Sequence, residues 1–292
     1  MVLCKQNTID SFGSTYGTKT QNHKKDAETQ AAEVRESLKQ VFPSLVCLIE
    51  NTPVYLISNK DSLLKRNQIA AEIKADDRNS IADTAAEVLV GEAGIAIIVY
   101  YSRIDEYLFK HYLRHEFGHV VFISVCRDLY EKVRKDIAMD KDTPIRNGAA
   151  LWTELIAEVF AYRAEGNSFC PCPCFAAEQA ERFMDEAVNT GAFNPYPMAF
   201  YLAMFFEDPE ILYYREKHPN AAVGANHCDD EIMPIIERTL NIVIRLLDKD
   251  DFWIISEEEL TSVGNCVNEL WDYCWRRKDE RLFERLSDLL KG

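Results

Sequence analysis

The chain lacks any uninterrupted apolar run of the ~18 residues that a membrane-crossing helix needs, which predicts no transmembrane segment and no membrane partner. Its opening stretch, MVLCKQNTIDSFGSTYGTKT, has no apolar core of the secretory type, so no leader is expected. Cations are scarce: 33 Lys and Arg stand against 48 Asp and Glu, for a net charge of −15. A surface of that sign repels phosphate backbones at long range, so no nucleic-acid partner is expected. Internal repeats are absent, as are low-complexity tracts beyond the alternation of Cys170, Cys172 and Cys174 with proline. These three cysteines lie closer together than zinc-binding pairs usually do, and read as an ordinary loop rather than a second metal site.

Cysteine as such is not scarce. The chain holds 9, an odd number, and without a leader they read as reduced thiols, which gives a cytoplasmic expectation. Hydrophobic residues make up 47% and charged residues 28% of the 292 positions, the balance of a globular protein with ample core material.

Periodicity predicts an α+β fold. Residues 1–28 are polar and are expected to form a mobile tail. A helix follows at 29–42, then two β-type runs at 44–50 and 53–58, then a helix at 60–75. The β-branched run GIAIIVYY at 94–101 predicts a strand. One long helix is expected over 104–135, Pro144 and Gly148 punctuate a connection, and a further helix spans 149–164. Downstream, helices are expected at 176–189, 196–206, 230–248 and 257–290, the last with Leu260, Val263, Val267, Leu270, Trp271 and Cys274 on its apolar face. The expected division is a core at 29–165 and a mainly helical part at 166–292, which could equally complete one domain.

The chemistry concentrates in His115-Glu116-Phe117-Gly118-His119. On a helix, residues four apart share a face, so both imidazoles can aim at one point, as two zinc ligands do. Glu116 lies beside that face and reaches a water on the metal rather than the metal. The pattern arises by chance in roughly one chain in a hundred of this length, so its context matters. Leu113, Phe117, Val120 and Val121 flank it and predict a buried helix, in which two histidines need polar partners.

The helix at 149–164 is apolar almost all round, yet carries Glu154 and Glu158 one turn apart. Two buried, unpaired carboxylates cost several kcal/mol each or must protonate. A dication removes the conflict, with Glu154 as third ligand and Glu158 orienting a ligand histidine from behind. The two carboxylates share a face and could trade these roles. A buried salt bridge from Glu154 to Arg114 or Arg163 is the bland alternative.

These residues resemble the zincin metallopeptidases that use a downstream glutamate as third ligand, and in particular the ImmA/IrrE-like HEFGH peptidase family. In that family the motif follows a strand, and a later helix carries a pattern like Glu-x-x-Ala-Asn/Asp-x-Phe-Ala. The matching stretch here runs from Glu154 to Ala161, Glu-Leu-Ile-Ala-Glu-Val-Phe-Ala. The likeness covers about residues 94–164. It implies a zincin-like core, a small mixed sheet plus an active-site helix, with Glu154 as ligand and Glu158 as its companion. It also implies Zn2+ as cofactor, a protein or peptide substrate, and peptide-bond hydrolysis with Glu116 as general base.

Other residues are weaker candidates. His111 shares the face of His115 and reads as a polar neighbour of the site. His227 is the candidate for stabilising the oxyanion, in competition with Tyr201, Tyr213 and Tyr214. Two other functions stay open on the sequence. One is a binding protein with a structural metal, closed by a fourth ligand such as His227 or Cys228. The other is a zinc hydrolase of a non-peptide amide.

Overall fold

The computed structural model describes residues 20–58, 62–75, 85–104, 106–165, 186–191, 194–207 and 231–291. Its elements are helices α1 (Thr20–Val41), α2 (Val46–Asn51) and α3 (Ser62–Glu72) with strand β1 (Val54–Leu56), then strands β2 (Ala86–Gly91) and β3 (Gly94–Val99). Helices α4 (Glu106–Val125), α5 (Arg127–Ala138), α6 (Pro144–Glu165), α7 (Pro195–Glu207), α8 (Met233–Leu247) and α9 (Glu257–Lys291) follow. The fold is mainly helical with one small mixed sheet, as an α+β class requires. No helix among the described residues is long and apolar enough to cross a membrane. Two compact units emerge, Met1–Ser124 with Arg163–Glu165, and Val125–Tyr162 with Gly166–Gly292.

In the first unit the three strands lie in the order β1-β3-β2. β3 runs parallel to β1 and antiparallel to β2, with Ile97 opposite both Val54 and Val88. Its central place explains its composition: Ala96 to Val99 are fully buried, on both faces of the sheet. Ala96, Ile98 and Tyr100 pack into one cluster with Leu89 of β2, Ile69 and Ala70 of α3, and Ile57 and Ile73 beside them. Beneath that face, buried Arg66 of α3 makes a bidentate pair with Glu87 of β2 at 2.9–3.1 Å, and the Tyr100 hydroxyl donates to the same carboxylate at 2.5 Å.

Several expectations are corrected here. Helix α1 begins at Thr20, inside the stretch expected as a tail; residues 1–19 lie outside the described ones. The run at 44–50 is not a strand but a short 3-10 turn, Pro43–Leu45, leading into α2. Arg35 of α1 accounts for that choice. Its guanidinium donates to the carbonyl oxygens of Ile49 and Thr52 at the C-terminal end of α2, groups a helix leaves open. The same guanidinium lies over the Phe117 ring of α4, 5.4 Å from its centroid. The helix expected over 104–135 is two helices, broken at Cys126.

In the second unit α6 starts at Pro144, so Pro144 and Gly148 lie within the helix rather than in a connection. Proline suits a first helical position, where no N–H is needed. Gly148 is required by packing: a Cβ there would meet the Leu260 carbonyl oxygen of α9 at 2.1 Å. A Cβ on Gly264 would likewise meet the Pro144 carbonyl. The two backbones therefore cross in direct contact, and Asn147 donates across the crossing to Asn268 at 2.7 Å. Helix α9 opens with a capping box: the Glu259 N–H donates to Ser256 Oγ, and the Ser256 N–H to the Glu259 carboxylate. Leu260, Val263, Val267, Leu270 and Cys274 are buried as expected, but Trp271 is 41% exposed. The expected helix at 176–189 falls mostly outside the described residues.

Candidate metal centre

Helix α4 is buried almost all round, through Phe109, Leu113, Phe117, Val120, Val121 and Phe122. Among its buried polar residues, His111, His115 and His119 recur every four positions and form a stripe, with Arg114 and Glu116 to either side of His115. On α6, residues 151–161 are at most 2% exposed, Glu154 and Glu158 included. Eleven residues take a helix through about three turns, so Glu165 stands on the same side of α6 as Glu154.

His115, His119 and Glu154 form a buried group whose potential ligand atoms all lie within 4.8 Å of one another. The Nε2 atoms of the two histidines are 3.0 Å apart and their rings are nearly perpendicular, at 83°. Two zinc–nitrogen bonds of about 2.0–2.1 Å at a tetrahedral angle set the nitrogens roughly 3.3 Å apart, so the pair is close to ligating geometry. Two imidazole nitrogens and one carboxylate oxygen are also the donor set that zinc accepts. The residues present therefore fit a divalent metal, and the group brings in Glu154 rather than Glu158.

Glu116 is buried at 6% exposure, one residue past His115 and so about 100° around the helix from it. Glu158, 2% exposed, lies one turn beyond Glu154. His111 does not join the metal group: its Nδ1 faces Glu165 at 3.4 Å. Arg114 pairs with the other oxygen of Glu165, also at 3.4 Å. Burial lowers the pKa of the Arg114 guanidinium, and the Glu165 charge opposes that shift. His227, Cys228, Tyr213, Tyr214 and the three cysteines at 170–174 lie outside the described residues, as does the side chain of Tyr201.

Glu165 is the neighbour that sequence reasoning missed. Its signal was present in the spacing, since 154, 158 and 165 share one side of a helix, but position 165 ends the apolar segment and reads as a solvated terminus. No family model, no curated protein and no solved structure matches the chain.

Proposed function

We propose that the chain is a zinc-dependent metallopeptidase on a zincin-like core similar to that of the HEFGH peptidases. The observation that carries this reading is the buried convergence of His115, His119 and Glu154 with Glu116 next in the chain to a ligand. A purely structural site has no use for an added carboxylate at that place.

When bound, the metal supplies Lewis acidity that makes water a nucleophile near neutral pH and polarises a carbonyl. The protein's own groups do the rest. His115 and His119 present Nε2 toward one point, and Glu154 brings a compensating negative charge to the same interior. The Glu116 carboxylate takes the proton of the attacking water and returns it to the departing amide nitrogen. Glu158 is suited to hold a ligand histidine in one tautomer, the task of carboxylates behind metal-binding imidazoles. The buried helix surround keeps bulk water from competing for these groups. The substrate class is a protein or peptide.

Glu116→Gln tests this reading. Elemental mass spectrometry of the purified variant is expected to show about one zinc per chain, as in the parent. Hydrolysis of a mixed peptide library is expected to fall by about 10²–10⁴ or more. Undiminished cleavage by the variant would remove Glu116 from the chemistry.

A further inference from the structure

Buried guanidinium groups are normally satisfied, and this chain shows how. Arg66, 1% exposed, donates three hydrogen bonds to Glu87 at 2.9–3.1 Å. Arg114 does not follow that pattern. It is 7% exposed, yet its Nε and Nη1 donate no hydrogen bond among the described residues. Its ionic contact is Nη1 to Glu165 Oε1 at 3.4 Å, longer than the 2.7–2.9 Å of a charge-assisted bond. A buried guanidinium with two of its nitrogens making no hydrogen bond is costly, and a bidentate oxyanion is the partner its geometry fits best.

Its place decides which oxyanion. Arg114 immediately precedes the ligand His115, on the side of the stripe away from Glu116. His111, one turn before His115, shares the Glu165 carboxylate with Arg114. The side chain of Glu165 is 21% exposed, so solvent reaches this end of the stripe and screens its charge. The Arg114 backbone is thus one residue, about 1.5 Å of axial rise, from the histidine that would hold the metal, and its guanidinium turns to Glu165.

We propose that Arg114 binds a carboxylate of the substrate beside the metal group, which makes it the specificity-determining residue of the site. This rests on the peptidase reading and narrows it to peptides that present a carboxylate next to the scissile bond, either a free C-terminus or an acidic side chain. Glu165 offsets the Arg114 charge in the free protein while leaving Nε and Nη1, buried there, without a hydrogen bond that a substrate carboxylate would supply.

The test is equilibrium binding to the full chain by titration calorimetry, with 3-phenylpropionate and its amide as probes, in zinc-loaded and zinc-stripped protein. The two probes differ only in the charged group, and neither holds a peptide bond between residues. The acid is expected to bind at least tenfold more tightly than the amide with zinc or without it. That preference is expected to vanish in Arg114→Gln and to be reduced in Arg114→Lys. The zinc-stripped arm separates Arg114 from direct capture of the acid by the metal. Equal binding of acid and amide, or a preference unchanged in a folded Arg114 variant, overturns the proposal: water then satisfies the guanidinium and Arg114 is only the partner of Glu165. Should Arg114→Gln fail to fold, the lysine variant and the parent's acid-to-amide ratio still decide. Cleavage of matched peptides, one with a free C-terminus and one amidated with an internal aspartate, tells the two carboxylate sources apart. Failure of the peptidase reading shows separately, as unchanged cleavage in Glu116→Gln, which the binding ratio does not depend on.

Discussion

His115 and His119 bring their Nε2 atoms to 3.0 Å of each other inside a helix that is largely buried. Without a cation, at least one of those nitrogens must carry a proton and donate to the other. With one, both lone pairs are used and the buried Glu154 carboxylate is neutralised as well. Metal binding is therefore expected to stabilise the fold. Stripping zinc with a chelator should lower Tm, and free zinc at a hundredfold excess over Kd should restore about 2.7 kcal/mol. A melting curve indifferent to chelator would mean that the group holds no metal.

Glu154 and Glu158 of α6 are expected to differ. Glu154→Ala removes a member of the group and should abolish stoichiometric zinc. Glu158→Ala should retain most of it, with affinity lower by about 10–100-fold if Glu158 orients a ligand. Elemental analysis of both variants checks the order, and the reverse order would exchange their roles.

Gly148 sits where α6 and α9 touch backbone to backbone. Alanine ordinarily gains about 1 kcal/mol over glycine inside a helix. Here the added methyl would stand 2.1 Å from the Leu260 carbonyl, against backbone that cannot rotate away. Forced overpacking costs about 1–3 kcal/mol or more, so the clash outweighs the propensity. Gly148→Ala is expected to lower the denaturation midpoint, and a raised midpoint would contradict the crossing.

How much was legible in the sequence depended on whether the deciding forces were local. The α4 histidines and Glu154 and Glu158 of α6 declared themselves because helical spacing and burial are written in the chain, and the structure brings His115, His119 and Glu154 together. β3 was legible for a similar reason, a β-branched run bounded by turns. The segment 44–50 was not, because a short apolar run suits a strand or a buried helix equally, and Arg35, nine or more residues away, tips it toward helix. Gly148 looked like punctuation because only the partner helix, more than 100 residues on, reveals what its missing side chain permits. Trp271 follows the apolar period of α9 but turns to solvent, since nothing in the period alone says how wide the covered stripe is.

Tyr100 provides an alkaline signature for the sheet. Burial raises its phenol pKa far above the ordinary tyrosine value of 10.0, and the Glu87 carboxylate it donates to adds to the shift. A raised folded-state pKa stabilises the protonated form. That contribution is complete below the unfolded phenol's pKa, near 10, and is lost as pH climbs from there toward the folded value. Stability of the parent is therefore expected to fall above about pH 10. Tyr100→Phe removes a hydrogen bond to a charged acceptor and should cost about 1.5–3 kcal/mol at pH 7. Because phenylalanine does not titrate, the gap between parent and variant should narrow as pH rises from 10 to 11. Urea denaturation at pH 7, 10 and 11 measures that gap, and a gap of constant size would show that Tyr100 is not held protonated by the fold.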